Sequence, residues 1–459
     1  MTATPTTPPP VTPSRVPLYL IALAAPVIAS MISRTVMSWI DFIMVSSLGP
    51  EAQAAILPSG IFLFTFIGTG MGLVSSVNTF VSQSLGRGRG EDCASYGWQG
   101  VYLSLFVGVV VMPLWFVIEP MFALAGHEPT VVAMETAYAR IGLWGVGPAI
   151  AAMALSNFFT GVHKPSVGLW SAVIANVLNI VGNYLLIFGN HGFPQMGMAG
   201  AALSTTIAAF VHMFILIGWM LLPSYRARYN TAHQWQISLR RIRQLIRVGL
   251  PAAGQLAVDI GSWGLFTVVL VGRFGTEALA ASNVAHKFLE VSFMPVFGLG
   301  TALTAAVGHA MGSRNIDLAR RLIRWALAMA MTYMGGMALV MVVWRYELES
   351  LLTNEAAVIA WAGPILIFCG IFQLCDALNI TLVFGLRGAG DTFVPAVVQV
   401  TLAAVVLLVG GAIVITYLPQ LNVLGPWLVA TVYIALLAVA FSLRYRLGAW
   451  QRIDLFGND

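Results

Sequence analysis

Apolar stretches long enough to cross a lipid bilayer recur along nearly the whole of this chain. Of its 459 residues, 58% are hydrophobic and 9% are charged, whereas soluble domains carry about 25% charged residues. A helix needs about 20 apolar residues to cross roughly 30 Å of hydrocarbon, and helices satisfy their own backbone hydrogen bonds there. The sequence therefore predicts an all-α polytopic membrane protein. The predicted spans are 17-45, 55-84, 95-118, 132-158, 166-189, 197-222, 243-270, 278-310, 320-343, 356-385, 393-417 and 422-446.

The second half of the chain repeats the first at a nearly constant offset of about 226 residues. Pro26 aligns with Pro251, and Gly72 aligns with Gly298. Six spans in each half make the two copies run in the same direction, a parallel repeat of two six-helix lobes. Repeated halves in membrane proteins usually surround a site that each side of the membrane reaches in turn. The predicted divisions are a disordered tail (1-16), an N-terminal lobe (17-222), a basic cytoplasmic linker (223-242), a C-terminal lobe (243-446) and a cytoplasmic tail (447-459).

Basic residues are distributed unequally between the two sets of loops. With a cytoplasmic N-terminus, the predicted outer loops hold Arg273 and Arg345, and the inner segments hold eighteen Lys and Arg residues. This bias predicts a multi-pass protein of the inner (plasma) membrane with both termini in the cytoplasm. It also explains the net charge of +5 without a nucleic-acid partner. The expected partners are the lipid bilayer and small-molecule substrates, and we expect a monomer.

The two ends of the predicted N-terminal lobe are polar. The first residues are rich in Pro and Thr and lack the apolar region of a cleavable signal, which favours a disordered tail. The longest polar stretch, between the sixth and seventh spans, is interpreted as a hinge-like linker.

Cys93, Cys369 and Cys375 show no metal-binding spacing and are expected to be reduced, buried thiols.

Charged residues within the predicted spans are the main functional candidates. Each costs about 2.5–3.5 kcal/mol near the bilayer centre, so such residues persist mainly where they pair or line a cavity. Intramembrane acids are functional by default, whereas the structural alternative is an ion pair between helices. The candidates are Arg34, Asp41, Arg140, Asp259, Lys287, Glu290 and Asp376.

Asp41 follows Arg34 by two helical turns, so both fall on one face of the first span and could pair along it. The fifth span carries Asn176, Asn179 and Asn183 at helical spacing. Three amides on one face can surround a bound cation or hold a neighbouring carboxylate. Hydrogen bonding between helices is the structural alternative for these amides.

Asp259 and Asp376 each lie in a polar stripe of an otherwise apolar span. A polar face turned to lipid would leave groups unsatisfied, so both stripes are predicted to face a central cavity that water or cargo enters. These stripes are therefore the preferred candidates for an ion site. The neighbours are Gln255, Ser262 and Trp263 around Asp259, and Gln373 and Asn379 around Asp376.

The eighth span holds a second, weaker candidate. Lys287 and Glu290 are three residues apart and can neutralise each other, so a structural pair is as good an interpretation as a transport role. His286 can serve a proton relay or be a satisfied buried histidine. Arg140 has no acidic partner in its own span and is assigned no role.

Sequence signatures of common enzymes are missing from the chain. It contains no Walker phosphate loop, no H-E-x-x-H, no G-x-S-x-G and no dinucleotide fingerprint on a strand. The sequence thus disfavours ATP-driven transport and ordinary hydrolysis. We expect neither enzymatic activity nor an organic cofactor.

Several segments resemble the multidrug and toxic compound extrusion (MATE) family of cation-coupled exporters. They are "LAAPVIAS", "SWIDFIMVSSLGPEAQAA", "VSQSLGRGRGED", "LNIVGNYLLIFG", "GLPAAGQL", "SFMPVFGLGTALTAAVGHAMG" and "GLRGAGDT", and together they cover nearly the whole chain after the tail. The resemblance implies twelve helices in two lobes around a V-shaped cavity. It also implies alternating access and export of organic, often cationic, compounds in exchange for sodium ions or protons.

The resemblance assigns roles to individual residues. Asp41 matches the first-helix aspartate of the family's amino-terminal cation site, and Asn179 and Asn183 fall where its fifth-helix partners lie. Some relatives have an aspartate at the position of Asn183, so this chain departs from their proton scheme. Arg34, a less usual residue there, is a polar cavity candidate that disfavours sodium at Asp41.

In the C-terminal lobe, Asp259 takes the place of a seventh-helix acidic residue and Asp376 matches the tenth-helix aspartate of the family's second cation site. Glu290 resembles an acidic position in the eighth helix of some members. A carboxylate that has lost water can bind a proton, or sodium with other oxygen ligands, and we expect sodium, if bound, at Asp259 and Asp376. A cationic substrate competes for the same charge, so exchange follows.

Side chains that contact substrate are predicted less firmly by the sequence. Aromatic residues and methionines would select among substrates, although such residues more often serve packing. The cavity is predicted to present Trp39, Trp263, Phe293 and Met294.

Other classes of membrane protein stay open. A lipid or lipid-linked saccharide flippase of related fold would favour a cavity rich in cations, for which Arg34, Arg140 and Lys287 are available. A major facilitator also has six plus six spans, but its usual signature after the second span is missing from "SLGRGRGED". A membrane-embedded enzyme would need a reactive cluster, whereas His127, Glu128 and His191 are sparse. A channel or receptor does not require paired lobes with separate acids.

Overall fold

The computed structural model describes residues 15–351 and 355–457, and the regular structure within these ranges is helical. Twelve spans in these ranges are long and apolar enough to cross a membrane, which confirms the predicted number. The ends of the predicted spans differ from the observed ones by at most five residues. The α-helices are α1 (Val16–Ser46), α2 (Pro50–Gly86), α3 (Gly90–Val111), α4 (Ile118–Leu124), α5 (Pro129–Gly161), α6 (Pro165–Phe188), α7 (Met198–Met220), α8 (Pro223–Tyr229), α9 (Leu239–Leu265), α10 (Thr276–Gly312), α11 (Ile316–Val343), α12 (Arg345–Ser350), α13 (Ala356–Ala389), α14 (Phe393–Leu402), α15 (Gly411–Tyr417) and α16 (Leu424–Leu447).

Proline and glycine set several of the helix ends. Pro50, Pro129 and Pro165 open α2, α5 and α6, where a missing N–H costs nothing because the first turn has no acceptor for it. Gly189 and Gly448 end α6 and α16 in the left-handed region, with φ of 72° and 71°. Glycine favours this conformation because it lacks a Cβ atom. Short connections between antiparallel spans follow from these sharp ends.

The chain divides into two compact units. The first runs from Ala29 to Ala253, and the second joins the described chain up to Ile28 with the chain from Gly254 onward. Both boundaries therefore fall inside a helix, within α1 and within α9. The beginning of each of these helices belongs to the unit formed mainly by the other half of the sequence.

A long central helix organises each unit. In the first unit, α5 packs against α2, α3 and α7 and buries Phe158 and Phe159 completely. In the second unit, α13 packs against α10, α11 and α16, and the core there includes Trp427 and Phe441. The two sets of contacts correspond helix by helix, as a parallel repeat requires.

The segment 223–242, which the sequence analysis interprets as a hinge-like linker, packs against α3. Trp98 Nε1 donates to the Thr231 carbonyl at 2.9 Å, and Gln99 Nε2 donates to the Gln236 carbonyl at 2.9 Å. Gln99 also accepts from a backbone N–H at 3.0 Å. These polar residues of α3 satisfy backbone groups that would otherwise need water, so they hold the segment in the first unit.

The C-terminal segment after α16 packs in the same manner on the second unit. Trp450 is fully buried, and its ring stacks on Tyr445 with a centroid distance of 5.7 Å. Gln451 accepts a hydrogen bond of 2.8 Å from Arg320. Much of the predicted tail is thus part of the folded unit. Residues 1–14 of the predicted N-terminal tail lie outside the described residues, as do 352–354 and 458–459.

Candidate functional site

Two carboxylates of the second unit lie within electrostatic reach of each other. Asp259 is in α9 and Asp376 is in α13, and Asp376 has 9% of its surface exposed. The charge of Asp259 acts on Asp376 from the neighbouring helix. Tyr433 of α16 interacts electrostatically with both, and its buried hydroxyl has no hydrogen-bond partner among the described residues.

A chain of hydrogen bonds ends on Asp259. Arg387 donates to Gln255 Oε1 at 3.3 Å, and Gln255 Nε2 donates to Gln399 Oε1 at 2.6 Å. Gln399 Nε2 then donates to Asp259 Oδ1 at 2.9 Å. Because the arginine can only donate, it orients both amides so that an N–H faces the carboxylate. This arrangement fixes the orientation of the Asp259 carboxylate.

Asp376 has a local partner on its own helix. Asn379 Nδ2 donates to Asp376 Oδ1 at 3.1 Å, as the three-residue spacing allows. Gln373, one turn earlier, accepts from Ser292 of α10 at 2.9 Å and contacts the Met341 sulfur at 3.9 Å. Asn379 thus belongs to the carboxylate site, whereas Gln373 joins α13 to its neighbours.

Two π-helical turns follow this network along the chain. Phe266–Val271 continues α9 after Asp259, and Ala403–Gly410 continues α14 after Gln399. The wider turns pack near each other, since Gly411 approaches Leu270 so closely that a Cβ atom there would lie 2.4 Å from its Cδ1. Such turns are rare and occur often at functional sites.

The first unit holds one carboxylate surrounded by amides. Asn183 Nδ2 donates to Asp41 Oδ1. The amide orientation that satisfies Asn179 has its nitrogen donating to the same oxygen at 2.8 Å, while its oxygen accepts from Thr205 N and Oγ1. Both asparagines are fully buried. The predicted grouping of Asp41, Asn179 and Asn183 is therefore present in the structure.

Other polar candidates of the first unit lie apart from this grouping. Asn176 donates to Ser33 Oγ at 2.8 Å and joins α6 to α1. Arg34 Nη2 donates to the Met153 sulfur at 2.9 Å instead of pairing with Asp41. The suggested ion pair along α1 is thus wrong.

Three other intramembrane charges form ion pairs. Lys287 Nζ lies 3.3 Å from Glu290 Oε2, and the two side chains are 55% and 34% exposed. Arg140 lies 3.2 Å from Glu119 and donates to the Trp115 carbonyl at 3.3 Å. Glu290 therefore forms the local ion pair with Lys287 that the sequence analysis gave as the alternative to a transport role. Arg140 bridges to a neighbouring element.

The predicted substrate-contact residues differ in their surroundings. Trp263 packs edge-to-face against Phe372 at 5.7 Å and against the ring of His286 at 5.6 Å. Phe293 is partly buried and pairs with Phe297 at 6.2 Å, and Met294 next to it is partly buried too. Trp39 is 47% exposed.

His286 lies in an aromatic cluster of the second unit. Its Nδ1 atom lies 2.9 Å from the Ser282 carbonyl, and its Nε2 atom is buried without a partner among the described residues. The ring centroids of His286 and Trp427 are 5.2 Å apart.

Sequence reasoning missed four residues of these two sites. Gln399 and Tyr433 contact or face the carboxylates of the second unit, Arg387 anchors the amide chain, and Thr205 completes the first site. Gln399 and Arg387 had a usable signal, since each is a strongly polar side chain within or at the end of an apolar span. Tyr433 and Thr205 had none, because tyrosine and threonine are ordinary in such spans.

Comparisons with known proteins identify the family of this chain. The MatE family matches residues 26–185 and 260–413, more than half of the sequence. "Probable multidrug resistance protein NorM" of Rhizobium meliloti (strain 1021) is 30% identical over 397 residues, which are 83% of this chain and 82% of that protein. A protein of the same description from Brucella suis biovar 1 (strain 1330) is 29% identical over 437 residues, 92% of this chain and 91% of the relative.

Solved structures agree in fold. A structure described as the outward-facing conformation of a multidrug resistance MATE family transporter of the MOP superfamily has a TM-score of 0.87 at 20% identity, covering 95% of this chain and 97% of that one. The crystal structure of the eukaryotic MATE transporter AtDTX14 has a TM-score of 0.85 at 20% identity, covering 96% and 97%. The twelve spans and the match to the MatE family make this polytopic helical membrane protein a transporter. The chain belongs to the MatE family of multidrug and toxic compound extrusion proteins.

Proposed function

We propose that the chain is a secondary active antiporter that exports organic, cationic and amphipathic compounds in exchange for sodium ions or protons. Membership of the family supports transport of small molecules and multidrug efflux as the general activity. The single observation that carries the proposal of ion coupling is that two hydrogen-bonded carboxylates, Asp259 and Asp376, lie within membrane-spanning helices of one unit.

When both carboxylates are ionised in a region with little water, their two negative charges are poorly compensated, which costs free energy. Like charges disfavour each other's ionised form, so a proton or a sodium ion relieves the repulsion between Asp259 and Asp376. A cationic substrate relieves it equally well. Binding of the coupling ion therefore opposes binding of the substrate, and each promotes release of the other.

The amide chain supports an ion-exchange role for Asp259 in particular. Gln399 presents a donor to Oδ1 of the Asp259 carboxylate at 2.9 Å, and the Trp263 side chain also hydrogen-bonds to this carboxylate. The donor-to-acceptor direction of this series of hydrogen bonds is fixed because Arg387, which can only donate, lies at its far end. The carboxylate is thus oriented before an ion arrives, which lowers the reorganisation that binding requires.

In the first unit, the carboxylate of Asp41 already accepts from two amides, Asn179 and Asn183. These donors compensate the charge of Asp41 without a counter-ion. We therefore assign the coupling ion mainly to the second unit and give Asp41 a supporting role in its own unit.

Alternating access is supported by where the units divide. α1 passes from the second unit to the first after Ile28, and α9 passes from the first to the second after Ala253. Pro26 and Pro251 lie two residues before these boundaries, inside the helices. A proline removes a helical hydrogen bond and permits bending, so each shared helix can flex where it changes unit.

The flippase alternative is weaker in this light. Two of the three cations that left it open, Arg140 and Lys287, are neutralised by Glu119 and Glu290. A lipid phosphate would have to displace these carboxylates.

Efflux of a fluorescent organic cation from proteoliposomes tests the proposal, with an imposed sodium gradient and, in separate vesicles, a proton gradient. We expect one of the two gradients to drive efflux by the unmodified protein. Asp259→Asn and Asp376→Asn should each abolish driven efflux, because an amide takes up no proton near neutral pH and carries no negative charge to hold a cation. The matched control is Asp317→Asn, an exposed aspartate of α11.

Full driven efflux in both Asp259→Asn and Asp376→Asn would refute the assignment of the ion site. Failure of both gradients to drive any tested cation with the unmodified protein would refute the antiporter itself. Size-exclusion profiles of the variants in detergent show whether a loss reflects folding, and we expect them to match that of the unmodified protein.

A further inference from the structure

The beginning of α9 carries a row of arginines around an open cavity. The cavity has a volume of about 530 Å³ and is lined by Leu239, Arg240, Arg243, Gln244 and Arg247. Spacings of three and four residues place these arginines on one face of the helix. Among the described residues, this lining contains three cations, one amide and no carboxylate.

The arginine on the opposite face of the same turn has a different environment. Arg241 forms an ion pair with Asp92 of α3, and Gln244 accepts from Tyr96 at 2.7 Å. By contrast, Arg243 and Arg247 are exposed and have no acidic partner among the described residues. The protein thus neutralises the arginine that faces its own core and leaves two on the open face.

Like charges at this spacing repel each other and destabilise a helix. An anion in the cavity would relieve this repulsion. Arginine suits phosphate especially, since its planar guanidinium donates two parallel hydrogen bonds to phosphate oxygens.

The surroundings of the cavity identify the source of the anion. The span Leu239–Phe274 is apolar enough to cross a membrane, and the arginines lie at its beginning. Trp235 and Ile237, just before it, are 58% and 68% exposed. Leu250, one turn beyond Arg247 on the same face, is 60% exposed. Charge followed by exposed apolar surface along one face matches a phospholipid, headgroup first and acyl chain after it.

We propose that the α9 face formed by Arg240, Arg243, Arg247 and Leu250 binds one anionic phospholipid, with the headgroup phosphate on the arginines and an acyl chain along Leu250. This site lies within the first unit and apart from the carboxylate sites. It gives the transporter a dependence on anionic lipid that is separate from its coupling ion.

Binding is tested on the purified full-length protein by native mass spectrometry, with titration of phosphatidylglycerol and, separately, phosphatidylcholine. Since each basic residue near a lipid surface contributes about 1 kcal/mol, the double variant Arg243→Gln/Arg247→Gln should bind phosphatidylglycerol at least about tenfold more weakly. The matched control is Arg446→Gln/Arg452→Gln, which removes two exposed arginines elsewhere. We expect the control to bind as the unmodified protein does.

Thermal unfolding in detergent distinguishes a ligand site from a structural role. Without lipid, the Arg243→Gln/Arg247→Gln variant should be as stable as the unmodified protein or more so, because it relieves repulsion. Added phosphatidylglycerol should raise the unfolding temperature of the unmodified protein and leave that of this variant unchanged. A variant that is less stable without lipid would indicate a structural role and overturn the proposal.

Two further outcomes would also overturn it. Equal binding of phosphatidylglycerol and phosphatidylcholine would show that headgroup charge is not recognised. Displacement of phosphatidylglycerol by millimolar inorganic phosphate or glycerol 3-phosphate would identify a soluble anion as the occupant, whereas resistance to both supports the lipid.

Discussion

Gly298 of α10 packs so closely on Ile28 of α1 that a Cβ atom at residue 298 would lie 2.6 Å from Ile28 Cγ1 and 3.0 Å from its Cα. Gly72, its counterpart in the repeat, stands in the same relation to Ala253 of α9, with 2.6 Å to that Cα atom. In both cases the glycine contacts the last residue of a helix segment that comes from the other half of the sequence. In each unit, the helix end that comes from the other half of the sequence therefore packs directly on a glycine.

Gly72→Ala should impair both folding and transport. The new methyl group would meet backbone atoms of Ala252 and Ala253, which cannot rotate away, so the cost should be about 1–3 kcal/mol. Gly60→Ala in the same helix is the control, because a Cβ atom there meets nothing within 4 Å. Thermal unfolding and driven efflux of both variants measure the difference. An unfolding temperature for Gly72→Ala equal to that of Gly60→Ala would contradict this packing.

Gln399→Met should weaken ion-driven efflux while preserving the fold. The substitution keeps the length of the side chain but removes the donor that Asp259 accepts at 2.9 Å. A hydrogen bond to a charged group contributes about 1.5–3 kcal/mol, so efflux at a limiting gradient should fall about tenfold or more. The neighbouring exposed residue provides the control variant Val400→Met. Equal efflux by the two variants would remove Gln399 from the site.

Glu349 makes stability depend on pH. Its side chain on α12 is fully buried, and neither carboxylate oxygen has a hydrogen-bond partner among the described residues. Desolvation raises the pKa of Glu349 from its usual 4.5 to about 7, although Arg345 opposes the shift. Folding therefore favours the protonated acid, and ionisation destabilises the native state as the pH rises from about 4.5 to 7.

The unfolding temperature of the unmodified protein should accordingly decrease between pH 5 and pH 8 by more than that of Glu349→Gln. At pH 8 the Gln variant should be the more stable of the two. Glu347→Gln, an exposed glutamate on the same helix, is expected to keep the pH dependence of the unmodified protein. Parallel curves for all three proteins would show that Glu349 is ionised normally.

Arg444→Gln should destabilise the second unit. Arg444 Nε donates to Asp391 Oδ2 at 2.7 Å, and the aspartate side chain is only 4% exposed. Removing one partner of a buried pair leaves an unpaired buried charge, which costs about 3–5 kcal/mol. The variant Arg446→Gln removes an exposed arginine from the same helix end and should be close to neutral. Chemical or thermal unfolding of both variants decides the matter.

Much of the fold could be predicted because membrane insertion depends on local hydrophobicity. The spans, their number and the parallel repeat follow from runs of apolar residues and from a constant offset, both of which are properties of the linear chain. The acids Asp41, Asp259 and Asp376 could be found for the same reason, since charge is rare in such spans.

The partners of those acids could not be predicted in the same way. Gln399 is 140 residues from Asp259, and Asn183 is 142 residues from Asp41. A spacing rule reaches only one or two helical turns, so it finds Asn379 beside Asp376 but not Gln399 beside Asp259. The erroneous pairing of Arg34 with Asp41 has the same origin, because two residues on one face need not turn toward each other.

By itself, therefore, the sequence determined the class of protein, the twelve spans, the repeat and the intramembrane acids, since each depends on how residues partition between water and lipid. Only the tertiary structure decided which amides orient the carboxylates, which charges are neutralised by ion pairs, and that the units divide inside α1 and α9. Those outcomes depend on which helices pack side by side. Pro26 and Pro251 permit bending near the two boundaries, but a proline does not specify which neighbours the helix packs against on either side of it.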